Sequence, residues 1–352
     1  MKLLSTILAA FTPEQKLHYY DQCAAALFPH YALDEALAEM TAHFIQHNAG
    51  IVFRLDDAAG NARYLLKIHE SAGDSLMDTP AQIETQMAWL AQLADDGEVV
   101  VQAPFANRDG NYVTLTQLAG MDRLSPATLQ KWITAEHVAQ WQPQHAFAVG
   151  ELLATLHRIS SQWQGRDSEQ FGAYHEDFLR NDVERLAITL ELELIDAEQY
   201  QLIRRSGERI LAMLDQIERT PESWGLVHGD LHQGNVLFDG GKAVALDFGA
   251  FRSYYLYDLG VSLYHASFDE VAIRNALVAG YHSICPLSQP DREALEGYMI
   301  AAALGNLAFQ TTLKEHRLSA INRRNMLQFV EKFCRPFVAN EPFLFDGRSL
   351  TI

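Results

Sequence analysis

Apolar residues recur at helical spacing over residues 13–29 and 33–40, and then the rhythm changes. GIVFRLDDAAGNARYLLKIHE, residues 50–70, alternates in the manner of two strands, Gly50–Leu55 and Ala62–His69, about an Asp/Gly/Asn turn. Thr79-Pro80 opens a helix whose Ile83, Met87 and Leu90 share a face. Two more strands are predicted at Glu98–Ala103 and Asn111–Gln117, joined by the turn-rich Asn107-Arg108-Asp109-Gly110. Beyond residue 124 the period is mostly helical, over His145–Ile159, Glu176–Leu192, Ala197–Glu218, Leu256–His265, Val271–His282 and Gln289–Leu313. The break between the two halves falls near 117–123. The organisation expected is therefore residues 1–119, β-rich with one helix, and residues 120–352, mainly helical.

One stretch interrupts the helical half. LVHGDLHQGNVLFDGGKAVALDFGAF, residues 226–251, reads as a short strand, a polar loop, a strand, a tight turn and a strand. Three chemistries compete for it. His228, Asp230 and His232 alternate, as ligands of a hydrolytic metal would on a strand, but that leaves Asn235 and Asp247 idle. A hairpin with polar turns explains Asp239-Gly240-Gly241 and not the polar residues before it. Phosphoryl transfer uses them all. Asn235 stands five residues after Asp230, and Asp247-Phe248-Gly249 begins twelve residues after Asn235. That is the spacing of a kinase catalytic loop followed by its metal-binding triplet. The chemistry requires one carboxylate beside the acceptor hydroxyl. It also requires an amide oxygen and a second carboxylate to hold Mg²⁺ against nucleotide phosphates.

HGDLHQGNVLFDGGKAVALDFG, with YYLYDLG at residues 254–260, resembles the corresponding loops of the aminoglycoside phosphotransferase and choline kinase family. That family includes homoserine kinases of the second type, hydroxylysine, choline, fructosamine and methylthioribose kinases, and some kinases of proteins. The resemblance implies an α+β, bilobal, protein-kinase-like fold. Residues 1–119 would be a β-rich N-lobe with one pairing helix, and residues 120–352 a mainly helical C-lobe. It implies Asp230 as catalytic base, Asn235 and Asp247 as Mg²⁺ ligands, and Asp258 as a brace for the catalytic loop. Lys67, in Tyr64-Leu65-Leu66-Lys67-Ile68, matches the family's lysine-bearing strand and would meet the nucleotide phosphates. Glu84 on the following helix would pair with it. His47-Asn48-Ala49-Gly50 stands where a glycine-rich loop would cover the phosphates, with Asn48 in place of further glycines. Gln117 and Leu118 fall at the hinge that would face adenine. His232 reads as a loop-ordering residue and His157 as a core histidine.

Charge and composition narrow the partners. The 352 residues carry 45 Asp and Glu against 27 Lys and Arg, a formal net charge of −18. So acidic a surface repels nucleic acid and anionic membrane; it suits a cationic substrate and equally serves solubility. Cys23, Cys285 and Cys334 are far apart, without CxxC spacing, which fits reduced thiols in a cytoplasmic protein. The start, MKLLSTILAAF, has a short apolar run with no cleavage site after it, and Thr12-Pro13-Glu14-Gln15 reads as a helix cap. The activity expected is ATP- and Mg²⁺-dependent phosphorylation of a small-molecule hydroxyl, such as an amino alcohol, amino acid or amino sugar. The alternatives are a protein Ser/Thr kinase of the same fold and a non-catalytic nucleotide-binding scaffold.

Overall fold

The computed structural model describes residues 8, 11–32, 39–47, 50–70, 79–266, 270–312 and 322–345. Contacts divide the chain into two compact units: Met1–Ala135 with Glu169–Gly172, and Glu136–Ser168 with Ala173–Ile352.

In the first unit, helix α1 (Pro13–Leu27) starts at the cap expected from its sequence. The Thr12 hydroxyl accepts from the Gln15 N–H, and the Gln15 side chain accepts from the Thr12 N–H. Two otherwise orphaned amides are thereby satisfied. The buried face of α1, including Tyr19, Cys23 and Leu27, shares a core with Ile51, Phe53, Leu55, Leu66 and Ile68. The helix expected over 33–40 falls mostly on residues outside those described.

Strands β1 (Thr41–His47), β2 (Gly50–Asp56), β3 (Ala62–His69), β4 (Pro104–Phe105), β5 (Val113–Gln117) and β6 (Leu124–Lys131) form one antiparallel sheet. Its order is β1-β2-β3-β6-β4, with β5 also pairing β6. Helix α2 (Pro80–Asp96) repeats the reciprocal cap at Thr79 and Gln82 and stops at Gly97, which takes a left-handed φ of 70°.

Three strand assignments differ from the sequence reading. Strand β1 was hidden because nearly all its residues are exposed or half-exposed, so no alternation marks it. Strand β6 lies within the stretch read as mostly helical. It runs through the middle of the sheet with Ser125, Thr128 and Gln130 buried and carries Pro126, against the usual strand composition. The strand expected at Glu98–Ala103 is irregular, and only Pro104–Phe105 pairs.

The second unit carries helices α3 (Pro143–Gln162), α4 (Glu176–Arg185), α5 (Ile188–Glu191) and α6 (Ala197–Leu214) before the motif stretch. Within that stretch, strand β7 (Trp224–Val227) pairs β10 (Phe251–Tyr254), and β8 (Val236–Asp239) forms a hairpin with β9 (Lys242–Ala245). Helices α7 (Tyr255–Ala266), α8 (Val271–Ile284), α9 (Gln289–Thr312), α10 (Arg323–Phe329) and α11 (Arg335–Ala339) follow. No helix among the described residues is long and apolar enough to cross a membrane.

Helices α3 and α8 approach backbone to backbone. A Cβ on Gly150 would run into the Leu277 carbonyl, and one on Gly280 into the Phe147 carbonyl. Neither neighbour is a side chain that can turn away. Gly280→Ala should therefore destabilise the protein by about 1–3 kcal/mol, read as a lower midpoint in chemical denaturation; an unchanged midpoint would show that the helices can separate freely.

A second test concerns Asp182 on α4, which is buried and accepts from the Tyr174 hydroxyl at 2.7 Å. Burial pushes its carboxyl up to about 6, against the Tyr174 hydrogen bond and the charge of Arg185. A folded pKa above the unfolded one means that its contribution is fully present below about pH 4 and is lost as pH rises through the folded value. The stability of wild type relative to Asp182→Asn should fall from pH 4 to above pH 6 in urea titrations. A flat difference would contradict this.

Candidate active site

The catalytic and metal-binding loops lie wholly in the second unit, where a few groups lace them together. Strand β7 ends at Val227, and the next residue, His228, has a buried side chain. Its Nδ1 accepts from the Asp230 N–H at 3.2 Å, so the proton must sit on Nε2, which donates to the Leu246 carbonyl at 3.0 Å. Burial lowers its pKa, outweighing the nearby negative charge of Asp258, and the ring stays neutral. Next, Gly229 takes a φ of 81°, and a Cβ there would meet the Phe251 ring. Both the turn and the close approach call for glycine.

Asp258, near the start of α7 and fully buried, holds this segment. Its Oδ2 accepts from the His228 N–H at 2.7 Å and its Oδ1 from the Gly229 N–H at 2.8 Å. The Nε2 of His157, on α3, lies 3.0 Å from Oδ2, and the His157 Nδ1 lies 2.9 Å from the Tyr281 hydroxyl. Burial by itself would raise the Asp258 pKa. The His157 hydrogen bond foremost, with the neighbouring imidazoles and the Gly229 amide, holds it below the ordinary carboxylate value. The Ser262 hydroxyl, one turn along α7, donates to the Leu231 carbonyl at 2.7 Å.

The loop so held presents Asp230 at its surface, with about half the side chain exposed. The Asn235 amide donates to the Asp230 carbonyl at 2.9 Å and to its carboxylate at 3.1 Å. The surrounding protein pushes the Asp230 carboxyl up to about 7, with the charges of Asp247 and Asp258 adding and the Asn235 hydrogen bond opposing. His232 Nδ1 accepts from the Gly234 N–H at 3.0 Å and so orders the turn, and its Nε2 lies 3.7 Å from the Asp230 carboxylate.

Two backbone bonds join the metal-binding triplet to this loop. The Leu246 N–H donates to the Asn235 carbonyl at 2.9 Å, and the Gly249 N–H to the His228 carbonyl at 2.8 Å. Between them Asp247 is exposed, with a left-handed φ of 56°, a region costly for a residue with a Cβ.

This geometry argues against the hydrolytic metal site. Both nitrogens of His228 are committed, so the alternating His-Asp-His ligand set does not form. The Asp247 carboxylate and the Asn235 side-chain oxygen, whose amide nitrogen is turned toward Asp230, are hard oxygen donors of the kind magnesium takes. Among the described residues no cluster of three or more His, Cys, Asp or Glu side chains is placed to hold a metal alone. A magnesium site with two protein ligands draws the rest of its shell from phosphate and water, and these residues fit it.

The other expected site residues belong to the first unit. Lys67 is half-buried on β3, opposite Val52 of β2 and Thr128 of β6. Glu84 on α2 accepts from the Tyr112 N–H at 2.9 Å and the Val113 N–H at 2.7 Å, which ties α2 to the start of β5. Gln117 ends β5, and its amide donates to the Met121 carbonyl at 2.6 Å. Leu118 is buried, with its carbonyl accepting from the Met121 N–H. Asn48 lies outside the described residues.

A family model described as the phosphotransferase enzyme family matches residues 45–298. The chain belongs to that family. It is thus a small-molecule kinase, a phosphotransferase with an alcohol group as acceptor. A homoserine kinase of Methylobacillus flagellatus is 26% identical over 253 residues, spanning 69% of this chain and 71% of the relative. One from a Caulobacter species is 28% identical over 259 residues, with 69% and 71% covered. Among solved structures, a microcompartment-associated aminopropanol kinase superposes with a TM-score of 0.75 at 20% identity, over 94% of this chain and 100% of that one. An amicoumacin kinase solved with AMP-PNP and Ca²⁺ gives 0.69 at 18% identity, over 97% of each chain. The fold of this phosphotransferase is the bilobal, protein-kinase-like one.

His157 is the buried core histidine expected from the sequence, with both ring nitrogens hydrogen-bonded, and through one of them it supports Asp258. The signal was present: His157 and Ser160 are polar residues on the otherwise apolar buried face of α3. Asp258→Asn would turn an amide toward donors that need an acceptor. Breaking a buried charged network of this kind costs roughly 3–5 kcal/mol. The variant should lose about that much stability in denaturant titrations and lose kcat with little change in nucleotide affinity. A stable and fully active variant would show that the loop does not depend on this carboxylate.

Proposed function

We propose that this phosphotransferase moves the γ-phosphate of ATP to the hydroxyl of a small amino acid or amino alcohol, with homoserine the first compound to try. The observation that carries the proposal is the joint placement of Asp230, Asn235 and Asp247 on two loops tied by backbone hydrogen bonds. Asp230 orients the acceptor hydroxyl and takes its proton. Asn235 positions the Asp230 carboxylate through its amide, and its side-chain oxygen would be a ligand of the metal. Magnesium held by Asn235 and Asp247 would neutralise charge on the nucleotide phosphates.

On the first unit, Lys67 contacts the phosphates. Glu84 pairs with it in this reading, while holding α2 on the sheet through its two amide contacts. Asn48 meets the phosphates, and the backbone at Gln117 and Leu118 meets the adenine. The two lobes are residues 1–119 and 120–352. Relatives named as homoserine kinases at 26% and 28% identity support an amino-acid acceptor. The net charge of −18 accords with an acceptor bearing an ammonium and with a protein that meets neither nucleic acid nor membrane. The three cysteines are unbridged, in keeping with a cytoplasmic protein.

The experiment is Mg²⁺-dependent ADP release from ATP with homoserine, 1-amino-2-propanol, ethanolamine, amino sugars and a basic protein supplied singly. One small acceptor should stimulate turnover. Asp230→Asn should lower its kcat by about 10²–10⁴-fold with nucleotide binding retained. Stimulation by the protein alone would make the acceptor a polypeptide. Nucleotide binding with no stimulation by any compound would favour a scaffold.

A further inference from the structure

The second unit holds a cavity that none of the catalytic or metal-binding residues lines. Its volume is about 410 Å³, and its walls come from the end of α6, the turn before β7, the start of α7, the end of α8 and the start of α9. That size is ample for a small organic molecule. Tyr255, Tyr281 and Tyr298 supply three aromatic rings, and all three side chains are buried. Asp291 and Glu222 are the charged residues of the lining, which includes no Lys, Arg or His. The remaining wall is largely apolar, with Ala294 on α9 facing the space.

Asp291 lines the same space as the three tyrosines. Burial first, and the negative charge of Asp291 among lesser causes, pushes the phenols of both Tyr281 and Tyr298 well up. Asp291 is fixed in place because its carboxylate caps α9, accepting from the Ser288 N–H at 2.8 Å and hydroxyl at 2.6 Å. Aromatic faces attract a cation through their quadrupoles, by more when it is desolvated, and a carboxylate at the rim adds to that attraction. An anion has no basic side chain to meet in this lining.

We propose that this cavity is a binding site for an organic ammonium ion carrying an apolar group, taken up against the three tyrosine rings with its charge toward Asp291 and Glu222. The site is separate from the one that transfers phosphate, and it does not depend on the identity of the acceptor. Its back wall is nevertheless linked to the catalytic loop by hydrogen bonds and a ring stack. Tyr281 bonds His157, Tyr255 stacks on the His157 ring at 4.6 Å, and His157 bonds Asp258.

The test uses the full chain and benzyltrimethylammonium, which has no hydroxyl to phosphorylate, with neopentylbenzene as its neutral isostere and benzenesulfonate as an anion. Binding is followed by calorimetry and by protein NMR. The ammonium should bind at least about tenfold more tightly than the isostere, and the anion should not bind, as cation–π and carboxylate attraction require. Ala294→Leu, which fills the cavity, should abolish binding. Asp291→Asn keeps an oxygen acceptor for the Ser288 cap and should weaken binding about tenfold, giving a second variant should the first fail to fold. Saturating AMP-PNP and homoserine should leave the ammonium bound. Equal affinity for the isostere, undiminished binding in both variants, or stoichiometric displacement by nucleotide and acceptor would each overturn the proposal.

Discussion

The catalytic half of this kinase depends on one buried carboxylate. Asp258 receives the N–H groups of His228 and Gly229 together with His157 Nε2, and it stays ionised although fully buried because these donors surround it. Two consecutive backbone amides pointing at one carboxylate fix the path of the chain just before Asp230. The orientation of Asp230 is therefore set by an amino acid 28 residues further on, from the interior of a helix bundle. Loops are usually the loosest parts of a fold. This one takes its order from α7 and α3.

From that brace the remaining geometry follows by short links. His228 hands the loop to the Leu246 carbonyl, Asn235 returns a carbonyl to the Leu246 amide, and the Gly249 amide closes on the His228 carbonyl. The strained conformation of Asp247 is held between these bonds. Such strain persists where neighbours over-determine it, and here the neighbours are backbone groups of the catalytic loop itself. Asp230 and Asp247, the carboxylates proposed as base and metal ligand, thus stand on loops of one hydrogen-bonded body, and positioning of this kind is where phosphoryl transfer obtains most of its rate.

Residues 226–260 were legible because the chemistry demands residue types that packing does not. Asp, Asn and two histidines between apolar strands have few structural explanations, and their spacing selected among them. The capped starts of α1 and α2 were legible for a similar reason, since Thr, Pro and Gln at fixed offsets answer a fixed set of orphan amides. Strand β1 was not legible, because its residues are mostly exposed and alternate with nothing. Strand β6 was obscured by its buried polar residues and Pro126. Glu84 is instructive: its place on α2 was read correctly, but sequence could not show that two backbone amides of another segment use its oxygens. For His157 the buried polar position was legible on the apolar face of α3, but its partner, 101 residues away, was not.

The glycine contacts between α3 and α8 bear on how such a brace can work at all. His157 stands on one of these helices and Tyr281 on the other, so the pair that supports Asp258 spans the crossing. Where helices meet through large side chains, small shifts are absorbed by rotamer changes at the contact. At Gly150 and Gly280 main chain lies on main chain, and there is no rotamer to change. The two helices act as a single stiff beam, and the imidazole between them inherits its position from that beam rather than from its own torsions.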